Sequence, residues 1–421
     1  MPRSKASPFR RFFSELGPGL ITGAADDDPS GIATYSVAGA RFGYTPLWTA
    51  LFCFPLMVAV QLMCARLGRV TGRGLACVIR MHYPRWVLWS ACMLLTVANL
   101  INIGADLGGM SEAMRMVTGV RSPWWNPVFA LLNLVLLFGT SYRTVARIFK
   151  WLTLVLFSYV ITAFIARPDA AQVLRSTFLP HFEWSREFLS VFVALLGTTI
   201  SPYLFFWQAA EEVEEERAAG RHTVAQRQGA TKRELAVARR DVLVGMFFSN
   251  VIMYFIILTT AATLHTHGIT HIGSAKQAAE ALRPLAGRGA YWLFTLGLLG
   301  TGMLGVPVLA GSTAYAVSEA MAWGASLDRE PSVLPKFYTV LGVAMILGLS
   351  LNLARVNAVR MLFLSAVANG VLAPPLIVLL VLLTGNRRVM GNRINSPLLG
   401  GLGWLTAAIM SAAAVGMLLA G

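Results

Sequence analysis

The sequence predicts an all-α integral membrane protein of eleven transmembrane helices, two of them broken, and three observations carry that prediction. Of the 421 residues, 56% are hydrophobic and 13% charged, with a mean hydropathy of +0.62. A soluble domain carries about 25% charged residues, so this chain has too thin a polar coat to dissolve around a single core. Apolar runs near the length of about 20 residues needed to cross a bilayer as a helix recur along the whole chain. Two of these runs are interrupted by proline among small polar residues, at Asp28-Pro29-Ser30-Gly31 and between Thr198 and Tyr203.

In chain order the predicted spans cover roughly 16–38, 46–68, 86–113, 123–142, 146–166, 189–210, 242–264, 290–316, 337–354, 360–384 and 396–420. They form one transmembrane domain over 1–421, with a first block at about 16–166, a second at about 189–384, and an extra helix at about 396–420. The net charge of +15 is scattered through short gaps, without the aromatic-interleaved basic patch of a nucleic-acid binder, so no nucleic-acid partner is expected. Placing the N-terminus in the cytoplasm puts most Lys and Arg inside, including Arg66, Arg69, Arg73, Arg80 and Arg85, then Arg143, Arg147 and Lys150, and finally Arg387, Arg388 and Arg393. The positive-inside bias therefore favours a cytoplasmic N-terminus and, with an odd number of spans, an outside C-terminus, in a plasma (inner) membrane. The basic start MPRSKASPFRRFF lacks a small-residue cleavage site after its apolar run, so a removable signal peptide is not expected.

Other features have plain readings. Cys53, Cys64, Cys77 and Cys92 lack CxxC spacing and are read as small core- or lipid-facing side chains. The largest gap, about 211–241, begins EEVEEERAAGR and is read as a helix extension with Glu/Arg pairs on a solvated face. His265, His267 and His271 read as a polar outer loop, with a metal at the outer mouth as the sharper alternative. Trp124, Trp125 and Trp151 read as interfacial anchors. No HExxH, GxSxG or paired Ser/His arrangement appears, so the chain is not expected to be an enzyme and needs no cofactor.

The two breaks carry the chemistry. The first span contains Asp26, Asp27 and Asp28, and an ionised Asp near mid-bilayer costs at least about 2.5–3.5 kcal/mol, so it must face a cavity or partner. Pro29 removes a backbone donor and Gly31 lets the chain unwind. In the sixth span Pro202 follows Thr198, Thr199 and Ser201; a kink in a packed helix is the simpler reading of that proline alone. Discontinuous helices at corresponding positions of two halves point to an inverted-repeat transporter with its site near the midplane. A carboxylate with neutral carbonyl and hydroxyl oxygens suits a cation. With no Met, Cys or His at either break, magnesium, calcium or manganese fit better than copper, zinc or ferrous iron.

These residues resemble the Nramp family of divalent-metal transporters. The resemblance rests on the run from Gly17 through Asp28-Pro29 to Ala33-Thr34, on Asp106-Leu107, on the Pro202 break, and on GLLGTGMLGVPVLAGSTAYAVSEAM in the eighth span. It implies the fold of the neurotransmitter–sodium symporters, with two inverted five-helix repeats. The chain also departs from the family pattern. The usual Asp-Pro-Gly-Asn is Asp28-Pro29-Ser30-Gly31, and the usual Met-Pro-His is Ser201-Pro202-Tyr203. The usual Asp-Leu-Ala-Glu is Asp106-Leu107-Gly108-Gly109, and the usual Ser-Gln of the tenth span is Ser365-Ala366. Loss of sulfur and of bulky ligands implies a wider, oxygen-only site for a partly hydrated ion, similar to the Nramp-related magnesium transporters.

The expected metal site is Asp28, Gly31, Thr198 and Ser201, with Asp26, Asp27, Ser30, Tyr203, Gln208, Glu211 and Glu212 as candidate pathway residues. Successive helical residues rotate about 100°, which sets Asp26 and Asp27 on other faces than Asp28. The expected function is import of Mg2+, and also Mn2+, by alternating access in a monomer. Without the family's Glu and His, proton coupling is not expected. The alternatives are a proton-coupled Mn2+/Fe2+ transporter of the same family and a Na+-coupled amino-acid transporter of the same fold, although Asp28 would repel a substrate carboxylate.

Overall fold

The computed structural model describes residues 17–420 except 121, 141–143, 146–151, 153, 330 and 355. The basic N-terminal stretch, Arg143, Arg147, Lys150 and the anchor at Trp151 lie outside the described residues. Regular structure among the described residues is entirely helical. The first block comprises α1 (Pro18–Asp26), α2 (Pro29–Phe42), α3 (Leu47–Thr71), α4 (Leu75–His82), α5 (Arg85–Thr118), α6 (Trp125–Gly139), α7 (Phe157–Ala166) and α8 (Ala170–Phe178). The second comprises α9 (Arg186–Thr199), α10 (Pro202–Ala218), α11 (Lys232–Thr263), α12 (Ala290–Ala320), α13 (Pro335–Ser350) and α14 (Ala358–Gly385), followed by α15 (Pro397–Leu419).

Among the described residues, 8 stretches are long and apolar enough to cross a membrane. The remaining expected spans appear among the described residues as shorter helices. The first is divided at Asp27 and Asp28, while 123–142 and 146–166 appear as the apolar helices Trp125–Gly139 and Leu154–Ala166. Burial separates the centre from the rim. The apolar window of Arg186–Ala218 is 94% buried, against 33% for Pro335–Leu353 and for Pro397–Leu419. The second broken helix therefore sits at the core, while α13 and α15 leave side chains such as Ile346 and Leu418 facing outward.

Small residues let the broken first helix lie close to α11. A Cβ on Gly19 would stand 2.6 Å from the Val242 nitrogen, and one on Gly23 would meet the Gly245 backbone, so these positions admit no side chain without moving a helix. Asp241 of α11 then accepts hydrogen bonds from the free N–H groups of Gly17, Gly19 and Leu20, at 2.9, 2.6 and 3.2 Å. The carboxylate thus satisfies the orphan donors that open α1.

The acidic run after the second break departs from its expected solvated face. Glu211, Glu212, Glu214 and Glu216 are all buried on α10, which continues to Ala218. Glu212 pairs with Arg69 of α3, Glu214 with Arg217, and Glu216 with Arg221. Burial is tolerable because arginines reach three of these carboxylates, Arg69 from α3, Arg217 from α10 itself and Arg221 from the segment after it. His265 and His267 donate to the carbonyls of Ala40 and Thr263, each at 2.8 Å, which gives them structural partners. Cys53, Cys64 and Cys92 are buried and Cys77 half-buried, all as free thiols.

Candidate metal-ion site

Both breaks are real chain interruptions. α1 stops at Asp26, Asp27 is its C-cap, and Asp28 caps α2 with Pro29 in the first turn. α9 stops at Thr199, Ile200 is its C-cap, and Ser201 is extended before Pro202 opens α10. Prolines alone do not produce this. Pro55, Pro307, Pro374 and Pro375 lie inside continuous helices α3, α12 and α14.

Asp28 is 1% exposed and held on three sides. Its Oδ1 accepts from the Ser30 hydroxyl at 2.6 Å and the Gly31 N–H at 2.9 Å. Its Oδ2 accepts from the Asn102 amide of α5 at 2.8 Å. Tyr203 of α10 donates to the Ala25 carbonyl at 2.9 Å with its hydroxyl 3.5 Å from Asp28 Oδ2, which ties the second broken helix to the first. On the fourth side runs α12, where a Cβ on Gly305 would lie 3.1 Å from Asp28 Cβ.

Gly31 and Thr198 face one another across the two breaks: a Cβ on Gly31 would stand 3.1 Å from Thr198 Oγ1 and 3.3 Å from the Asp26 carbonyl. This corrects the expectation of a wider cavity. Without a side chain at 31, the two broken helices close up, and Thr198 and backbone occupy the space. Ser201 turns its hydroxyl back onto α9, donating to the Gly197 and Thr198 carbonyls at 2.8 and 2.9 Å. Its lone pairs stay available, but the Thr198 carbonyl is already engaged.

The remaining expected residues divide into two groups. Asp26 and Asp27 turn away from Asp28 towards α11, where the Ser249 hydroxyl lies 2.6 Å from Asp26 Oδ2 and 3.3 Å from Asp27 Oδ1. Because α1 ends between them, backbone unwinding and not the helical rotation sets these directions. Gln208 and Glu212 stand farther along α10 in a closing network. Gln208 lies 2.5 Å from the Thr22 hydroxyl of α1 and donates to Glu212 at 2.9 Å, while Arg69 bridges Glu212 and Glu215. Glu211 is buried on α10 apart from Asp28.

Buried oxygens near Asp28 have no ordinary hydrogen bond: Asn102 Oδ1 and both oxygens of Asp106, one helical turn beyond Asn102. Buried polar atoms are almost always partnered, so this gathering of acceptors marks a place suited to a cation. Among the described residues no three His, Cys, Asp or Glu side chains form a ready-made metal cage. The donor set is the carboxylates of Asp28 and Asp106 with amide, hydroxyl and carbonyl oxygens, the chemistry of hard cations. Asn102, Ser249 and Arg69 were not expected at these positions. The amides of Asn99 and Asn102 within an apolar run before Asp106 were the available sequence signal.

Residues 19–420 match the family model described as natural resistance-associated macrophage protein-like, Nramp. The chain is 28% identical over 399 residues to the divalent metal cation transporter MntH of Yersinia enterocolitica, covering 93% of this chain and 91% of that protein. It is 27% identical over 412 residues to the protein of the same name from Mesorhizobium japonicum, covering 96% and 87%. Among solved structures it resembles the Eremococcus coleocola manganese transporter in complex with an aromatic bis-isothiourea substituted compound, with a TM-score of 0.77 at 18% identity over 99% of this chain and 88% of that one. MhsT in complex with L-phenylalanine gives a TM-score of 0.62 at 13% identity, covering 96% and 98%. The shared fold is that of an all-helical membrane protein.

Proposed function

The chain belongs to the Nramp family, and from that premise we propose that it moves a divalent cation through a site at the two helix breaks, as an oxygen-liganded manganese-type transporter. It is a membrane transporter of divalent metal cations and not an enzyme. The observation that carries the site assignment is the sealed carboxylate of Asp28, gripped by α2, α5 and α10, with unpartnered acceptors of Asn102 and Asp106 beside it. The relatives are named divalent metal cation transporters, and the manganese transporter that shares this fold favours Mn2+ as substrate. Mn2+ is at home among carboxylate, carbonyl and water oxygens.

One observation favours a second reading, in which Mg2+ is the physiological ion. Neither break offers sulfur or imidazole: the side chains there are Asp28, Ser30, Thr198, Ser201 and Tyr203. Oxygen ligands alone give little discrimination against Mg2+, which is more abundant and keeps several waters. On either reading the path is an eleven-span inverted-repeat scaffold in which the bundle holding α1, α2, α9 and α10 rocks against the rest. The missing family Glu and His, here Gly109 and Tyr203, favour movement without protons.

Uptake of radioactive Mn2+ into proteoliposomes tests this. Wild-type protein should accumulate the ion, and Asp28→Ala should lower uptake to the level of empty vesicles. Undiminished uptake by a folded Asp28→Ala protein places the site elsewhere. Suppression of Mn2+ entry by equimolar Mg2+ favours the second reading, and indifference to a hundredfold excess favours the first.

A further inference from the structure

At the end of the molecule where α3 finishes, segments distant in sequence enclose a cleft of about 500 Å³, a volume typical of small-ligand sites. Its walls come from Thr71 at the end of α3 and Arg73 after it, from His82 at the end of α4, from 228–230, and from Arg388 to Arg393 after α14. Those walls are pinned together. The Gly229 N–H donates to the Val70 carbonyl at 2.9 Å, and Arg66 donates to the Arg393 and Ile394 carbonyls at 2.6 and 2.9 Å. Val70, Ala230 and Met390 form a small apolar cluster that supplies part of the lining.

The electrostatics of the cleft are one-sided. Arg73, Arg388 and Arg393 line it together with His82, and no Asp or Glu does. None of the three guanidiniums has an ion-pair partner among the described residues, and Arg73 Nε is buried without a hydrogen bond. Of the neighbouring arginines, Arg69, Arg217 and Arg221 pair with carboxylates, and Arg66 and Arg227 donate to backbone carbonyls. Three guanidiniums without a carboxylate partner among the described residues thus line one concavity, Arg73 also donating to the Cys77 sulfur at 3.7 Å, and phosphate oxygens suit the planar guanidinium fork.

We propose that this cleft binds a phosphate-bearing anion, its phosphate held by Arg73, Arg388 and Arg393 and its less polar part resting on Val70 and Met390. The phosphate can come from an anionic lipid headgroup or from a soluble phosphorylated compound, and the two sources are separable. The full-length protein in detergent is titrated with inorganic pyrophosphate in metal-free buffer, following its thermal unfolding midpoint. In parallel, nanodiscs containing phosphatidylglycerol or only phosphatidylcholine are compared by native mass spectrometry for retained lipid. Pyrophosphate stabilisation alone identifies a soluble ligand, retained phosphatidylglycerol alone a lipid, and both a general phosphate site. In each positive arm the pair Arg388→Gln and Arg393→Gln should weaken binding roughly tenfold or more, the scale of losing charge-assisted bonds. Arg360→Gln, outside the cleft, should leave binding unchanged. Should the pair not fold, Arg73→Gln alone gives the same readout. Absence of binding in both arms, or binding that the cleft substitutions leave intact, overturns the proposal.

Discussion

Asp28 accepts from Ser30, Gly31 and Asn102, so its position is fixed before any ion arrives. Of these contacts only Asn102 comes from outside the first broken helix, and its own carbonyl oxygen is buried without a partner. Asn102→Ala should therefore lower metal uptake roughly tenfold while the protein still folds, because one charged-group hydrogen bond and one neutral oxygen are lost together. Unchanged apparent affinity in a flux assay contradicts that role. Ser201→Met should add a soft ligand and strengthen Cd2+ binding relative to Mg2+, read by competition calorimetry; an unaltered order of affinities counts against Ser201 facing the ion. Asp28 was legible in the sequence because a carboxylate inside an apolar run demands an explanation. Asn102 was not, since a buried amide in a helix has many uses and only its tertiary contact with Asp28 reveals this one. The larger cavity expected from Gly31 also failed at this scale: what a missing side chain leaves depends on what moves in, here Thr198.

Among elements, the breaks were legible and their closure was not. Proline was a sufficient clue only with company: Pro55 and Pro307 sit in unbroken helices, whereas Pro29 and Pro202 each follow an extended residue, Asp28 or Ser201. The acidic end of α10 looked like a solvated helix end because arginines follow its glutamates closely. Burial was hidden because Arg69, on α3, is remote in sequence from Glu212 and Glu215. That arginine ties α3 to α10, while Thr22 and Gln208 tie α10 to α1. Removing it leaves a buried carboxylate uncompensated. Arg69→Ala should loosen this end and raise the labelling rate of a cysteine placed at Thr22 at least several-fold; equal rates with and without Arg69 contradict a gating role. The α1–α11 contact is tighter still, and Gly245→Leu should destabilise the protein by several kcal/mol through overpacking, visible as a lower unfolding midpoint.

For the whole molecule, apolar periodicity and length disclosed an all-helical membrane chain, and the family fold extends over nearly all of it. Among the described residues 8 stretches meet the length of a full span, and the first expected span does not because it breaks at Asp27 and Asp28. The convergence of the α3–α4 turn, residues 228–230 and Arg388 to Arg393 at one end was invisible in sequence, where each appeared as a separate loop. A divalent ion entering alone gains about 4.6 kcal/mol per 100 mV of inside-negative potential, enough to drive accumulation without a second ion. Uptake should then rise with an imposed potential and leave the internal pH of the vesicles unchanged; proton entry in fixed ratio to metal contradicts uncoupled movement. The central claim, a hard divalent-cation site centred on Asp28, is tested most directly by calorimetric titration of wild type and Asp28→Asn with Mn2+, Mg2+ and Cd2+. The account predicts binding of Mn2+ and Mg2+ to wild type without marked preference for Cd2+, and loss of all binding in Asp28→Asn. Strong selection of Cd2+, or binding that survives the substitution, contradicts it.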